Sequence, residues 1–327
     1  MDVGHIGQKA VMKSLSLPKT TAVALAFALG TSQGSINFVF DLSDPSNAGL
    51  WSSDRIAALE RSASAVEALF VNYSATLEIE VKSENDPLSS TLASAGSNDF
   101  VPTYTPGFST SDVVMNEILT GLDGNGAGFD GVVNVNWGSG YDTSAIAANV
   151  AAGMFDFEST MIHELLHAVG FLSTVSQTGT DAFGNTTAGD WNPFDQYVGN
   201  GTGLLINQTN FDINQSGFVS AVTGGAGTAG LAFHGPNATA ANGGNPVFLY
   251  TPTTFEDGSS GSHLDDEFYM GTYMMEASTN PGPGIRAISP VEQAILRDIG
   301  YVRIPEPSAA ALMGIAGLLL VGRRRRR

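Results

Sequence analysis

The stretch Thr160-Met-Ile-His163-Glu164-Leu-Leu-His167-Ala-Val-Gly170-Phe171 constrains this chain more than any other. Ile162, Leu165, Leu166 and Val169 recur at helical spacing, and Gly170 marks the stop, so the segment reads as an apolar helix that two histidines interrupt. Residues four apart lie on one helix face, so His163 and His167 point the same way. The chain has no cysteine, which excludes disulfides, thiol nucleophiles and sulfur-ligated metals. Its 327 residues, 43% of them hydrophobic, must be stabilised by an ordinary core, and any metal they bind is held by His, Asp or Glu.

His-Glu-x-x-His on a helix presents two ring nitrogens to one zinc ion. Glu164, one residue on from the first histidine, sits where it can take a proton from a metal-activated water and return one to a leaving amine. These residue types fit peptide hydrolysis. The bland alternative is an amphipathic helix whose histidines are four apart by chance. A catalytic zinc takes three protein ligands and leaves one position for water. The remaining histidines are His5, in a removable leader, His234 and His263. Asp265, Glu292 and Asp298 are carboxylate candidates for the same role, and the residues alone leave the choice open.

Metzincin peptidases extend the motif to His-Glu-x-x-His-x-x-Gly-x-x-His. This chain matches through Gly170 and has Ser173 where the third histidine would fall. It resembles the leishmanolysin-like branch, in which a long insertion precedes the third histidine and a methionine turn follows. Ser262-His263-Leu-Asp265, Tyr273-Met274-Met275-Glu276 and the segment from Ile288 to Tyr301 carry that resemblance; the many cysteines of that family are missing. The resemblance implies an α+β, two-lobed zinc peptidase: an N-terminal mixed sheet with the active-site helix, and an irregular C-terminal lobe. It also implies zinc on His163, His167 and His263, Glu164 as general base and acid, and Met275, with Met274 close behind, as the turn residue.

Around the motif, alternation predicts strands at Ile36–Leu42, Ala75–Val81 and Gly131–Trp137. Helical spacing predicts helices over Asp54–Tyr73, Ser111–Leu122 and Ser289–Ile299, the last capped by Ser289 and ended by Gly300. From Phe171 to about Gly261, Gly, Asn, Thr and Ser dominate, punctuated by Trp191, Phe194, Phe211 and Phe233, which predicts loops and short strands over the catalytic helix. Asp123-Gly-Asn125-Gly-Ala-Gly-Phe-Asp130 offers oxygen donors at short spacing, as a structural Ca2+ needs. It lacks the closing Glu of a calcium loop, so a Gly/Asn turn is the primary expectation.

Charge narrows the partners. Of 32 acids in the chain only Asp2 and Glu306 lie outside residues 35–303, and the bases between those limits are Arg55, Arg61, Lys82, Arg286, Arg297 and Arg303. So acidic a body repels nucleic acid, and the metal motif makes a protein or peptide substrate the expected partner. Lys13 and Lys19, the apolar run Thr21–Leu29 and the small residues to Gly34 predict a secretory signal peptide over residues 1–34, with an overlong start. At the other end, Pro305-Glu306-Pro307, the apolar run Ala309–Gly322 and Arg323–Arg327 resemble the PEP-CTERM sorting signal. That resemblance implies an exosortase-type processing enzyme, transient anchoring in the inner membrane by the C-terminal helix, and a product at the cell surface or outside the cell. Residues 35–303 remain as the peptidase domain. The competing reading is a non-catalytic surface or matrix protein with a structural zinc.

Overall fold

The structure is a computed structural model that describes residues 35–99, 104–108 and 112–302. The expected signal peptide and sorting tail lie outside them, and none of the described helices is long and apolar enough to cross a membrane. In the strands of the main sheet every second side chain is apolar and turned inward: Ile36 and Phe38 in β1 (Ile36–Asp41), Leu77, Ile79 and Val81 in β2 (Ala75–Glu84). Between them α1 (Ser53–Glu67), capped by Ser52, makes the crossover that a parallel pairing requires. β3 (Ala93–Ser97) and β4 (Gly131–Asn136) complete the sheet in the order β1-β2-β4-β3, with β3 alone antiparallel and at an edge. Ala-Ser-Ala-Gly-Ser has no β-branched or aromatic residue, so no local pattern announces β3. Its ladder with β4 holds it, from Ala93 opposite Val135 to Ser97 opposite Gly131.

α2 (Val113–Thr120) starts where Asp112 accepts the Met115 N–H at 2.9 Å and stops at Gly121, whose φ of 72° ends the helix. Burial pushes the Asp112 carboxyl up to about 6, against the hydrogen bonds that favour its charged form. A folded-state pKa above the unfolded value stabilises the fold fully below the unfolded value of about 3.9, and that contribution is lost as pH rises through about 6. Asn keeps the cap and carries no charge. Asp112→Asn therefore raises the melting temperature at pH 8, by up to about 3 kcal/mol of stability, and leaves it unchanged at pH 4. Thermal melts at both pH values check this.

After the motif helix, among the described residues, the chain builds a second four-stranded sheet from strands of two or three residues. In order these are β6 (Gly203–Leu204), β5 (Val198–Asn200), β7 (Ala232–Phe233) and β8 (Val247–Phe248), all antiparallel. Short helices α4 (Gln215–Ala221), α5 (Pro236–Ala241) and α6 (Asp266–Tyr269) interrupt the loops. Trp191, Phe194 and Phe233 are buried in the same apolar cluster as the main sheet, and Phe211 packs against it, so this loop-rich region is anchored to the core. The last helix, α7 (Pro290–Asp298), begins with a capping box in which Ser289 and Glu292 satisfy each other's backbone N–H. Gly300, at φ 131°, ends it. The architecture is mixed helix and sheet, as α+β implies.

Candidate metal centre

α3 (Phe157–Ala168) carries the motif, and both its ends are fixed by side chains distant in sequence. At its start Asp156 caps Ser159 N at 3.1 Å and pairs with Arg286 at 2.8 Å; Glu158 pairs with Arg286 at 2.8 Å and also with Arg61. At its end the Phe171 N–H reaches the Leu166 carbonyl at 3.1 Å and the Gly170 N–H the His167 carbonyl at 2.9 Å, with Gly170 at φ 95°. This is a Schellman closure, which a side chain at residue 170 would strain. It turns the Phe171 carbonyl back onto the helix, where it takes the Nδ1 proton of His167 at 2.7 Å.

His163 and His263 are oriented in the same way. His163 Nδ1 donates to the Met274 carbonyl at 2.8 Å, and His263 Nδ1 to the Ser259 carbonyl at 3.0 Å. A carbonyl can only accept, so each neutral ring carries its proton on Nδ1 and a bare lone pair on Nε2. The three Nε2 atoms stand 3.0 to 3.1 Å apart in a triangle. Burial, with the neighbouring histidines, holds His163 down to about 3 and His167 well below the imidazole range; burial holds His263 down to about 4. No proton joins them near neutrality, and three converging lone pairs repel unless a cation sits among them. A tetrahedral zinc with Zn–N near 2.0–2.1 Å sets its nitrogens about 3.3 Å apart, close to what is seen. The three histidines could hold a metal ion, and among the described residues the cluster stops at three.

Glu164, the residue after His163 in α3, is buried, 7% exposed. Burial pushes its carboxyl up to about 8, while the Ala95 N–H of edge strand β3 donates to it and works the other way. A divalent cation next to it would also favour the charged form. Tyr141 donates its hydroxyl to the Leu92 carbonyl at 2.8 Å, and burial, then the charge of Glu164, raises its pKa.

No family model, curated protein or solved structure matches this chain.

The rival ligands have other work. Asp298 caps α5, accepting the Asn237 N–H at 3.0 Å and the Ala238 N–H at 2.8 Å. Asp265 takes the Gly227 N–H at 2.7 Å and caps α6 through Phe268 N at 3.0 Å. Glu292 accepts from Met275 N at 2.8 Å, besides closing its own capping box. His234 lies against Gly199, away from the triangle, and its Nε2 is buried without a partner among the described residues. Met274 and Met275 are both buried in the core; the first turns its carbonyl to His163, and the carbonyl of the second takes Leu264 N at 2.7 Å, next to His263. Ser173, at the compact motif's third-histidine position, exchanges hydrogen bonds with the Ser262 hydroxyl at 3.2 Å. Since Ser262 precedes His263, this contact ties the chain just beyond α3 to the segment that carries the third histidine. Sequence patterns gave no sign of Ala95, Tyr141 or the carbonyls that orient the rings, because their roles arise only from tertiary contact.

Proposed function

We propose that this protein is an exported zinc endopeptidase of metzincin-like, two-lobed design. The observation that carries the reading is the triangle of proton-free Nε2 atoms, on a helix whose Glu164, next to His163 in sequence, is buried. Three imidazoles and no thiolate suit zinc, and three protein ligands are the number a catalytic zinc takes. When bound, the ion supplies a Lewis acid that polarises a carbonyl and makes water a usable nucleophile near neutral pH. Glu164 would accept the proton of the attacking water and hand it to the departing amide nitrogen. His163, His167 and His263 are held by the carbonyls of Met274, Phe171 and Ser259, which fix their tautomers and aim. Met275 would be the methionine-turn residue.

A peptide substrate is favoured by β3. Among the described residues it pairs on one side only, and an extended chain can add to the other edge as a further strand, where the Ala95 N–H meets Glu164. The purified full chain, loaded with zinc, should cut an unfolded protein such as denatured casein, lose that activity to a zinc chelator and regain it on zinc addition. Zinc-loaded protein that leaves both denatured casein and a mixed peptide library intact would refute the peptidase reading.

A further inference from the structure

Three nitrogens that meet in a triangle of 3.0 to 3.1 Å must be brought there by the chain around them. Two of the rings stand on α3, whereas His263 and the Met274 carbonyl that orients His163 come from one later segment. That segment is fastened at both ends of α3. Just beyond the helix, Ser262 meets Ser173. At the helix start a strap, Gly282 to Arg286, lies across the first turn: the Gly282 N–H reaches the Met154 carbonyl at 2.8 Å, the Gly284 N–H the Asp156 carboxylate at 3.1 Å, and the Ser159 hydroxyl the Ile285 carbonyl at 2.6 Å. The approach is so close that a Cβ at residue 284 would fall 2.5 Å from the Ser159 side chain. Beyond the strap, Glu292 takes the N–H of Met275 at 2.8 Å and of Ser289 at 2.7 Å, which ties the strap to the methionine segment. Arg286 closes the strap with every N–H of its guanidinium. Nε spans both Asp156 oxygens at 3.0 and 3.1 Å, Nη1 reaches Glu158 at 2.8 Å and the Ala145 carbonyl at 3.1 Å, and Nη2 reaches Asp156 at 2.8 Å and the Ser144 carbonyl at 2.7 Å.

We propose that Arg286 is a positioning residue for the metal centre: by locking the strap to the first turn of α3, it holds His263 and the Met274 carbonyl in register with His163 and His167. The proposal rests on the reading of the three histidines as a zinc site. A buried ion pair adds little stability beyond what apolar packing of the same volume supplies, but a guanidinium fork fixes orientation. Ligands held in place raise affinity, because the ion need not pay for gathering them. Lys cannot stand in for Arg286, since its single ammonium offers three donors and no fork. Ala at residue 284 disturbs the same contact from the other side, pushing the strap off Ser159 without altering any charge. Arg61 supplies the contrast. It also holds Glu158, through Nε at 2.6 Å, and the Thr143 carbonyl at 3.0 Å, but it comes from α1, so its loss weakens the helix start and leaves the strap fastened.

The test is the zinc affinity of the purified full chain, measured by competition with a chromogenic chelator, together with the visible absorption of the cobalt(II)-substituted protein, which follows the geometry of the ligand nitrogens. Arg286→Lys and Gly284→Ala should each weaken zinc binding by about tenfold or more and alter the cobalt spectrum. Arg61→Gln should lower the melting temperature of the metal-free protein and leave both metal readouts native. Gly284→Ala carries the same test if Arg286→Lys does not fold. Native zinc affinity with a native cobalt spectrum in the strap variants would overturn the proposal, whatever their melting temperatures. So would an equal loss in Arg61→Gln, which would make the effect one of helix stability. A native protein that binds neither ion would instead refute the zinc reading itself, and the positioning role with it.

Discussion

Glu164→Gln lowers the rate of peptide cleavage by roughly 100- to 10,000-fold, the range that a positioned general acid–base contributes, with zinc content and KM close to native. The substitution is nearly isosteric, and the amide oxygen can still accept the Ala95 N–H that now reaches the carboxylate. What it removes is the ability to take and return a proton. Burial raises the Glu164 carboxyl to about 8 in the metal-free protein, so near neutrality the amide replaces a group that is itself uncharged, and melting curves of the two proteins show whether lost activity comes from unfolding. A kinetic comparison with native protein at matched zinc loading decides the matter, and a variant that cleaves at the native rate removes Glu164 from the chemistry.

His263→Ala abolishes the metal site, while His234→Ala leaves it intact. The imidazole of His263 supplies one of three donors, and its loss exceeds the 10- to 100-fold in affinity that removal of a merely supporting hydrogen bond costs. Stability follows by linkage: native protein at a free zinc concentration about 1,000 times its Kd gains about 4 kcal/mol from binding, which His263→Ala forfeits. Chelation of the native protein should give the same drop in melting temperature, and zinc should not reverse it in the variant. His234 stands apart, against Gly199, so its removal should change neither quantity.

The histidine pair and its glutamate were legible because helical periodicity fixes their common face, and Gly170 was legible as a stop because only glycine closes that turn without strain. The strands rich in Val, Ile and Phe and the Ser289 cap were legible for similarly local reasons. His263 was not settled by the residues themselves. It lies 96 residues beyond His167, and no local pattern separates it from His234, Asp265 or Glu292. What separates them is where each carboxylate finds its N–H partners and each ring its carbonyl, which only the folded chain decides. β3 escaped notice because its small residues have no preference of their own, and it is this strand that reaches Glu164. The loop from Asp123 to Asp130 reads as a plain turn in sequence, where Asn125 indeed donates to the Gly128 and Phe129 carbonyls at 3.1 Å.

The central claim, that three histidines hold one zinc, is tested most directly by the zinc content per chain of purified native protein, His263→Ala and His234→Ala. The account predicts one zinc in the native protein and in His234→Ala and none in His263→Ala. A native protein that takes up no zinc, or a His263→Ala protein that keeps a full equivalent, would contradict it.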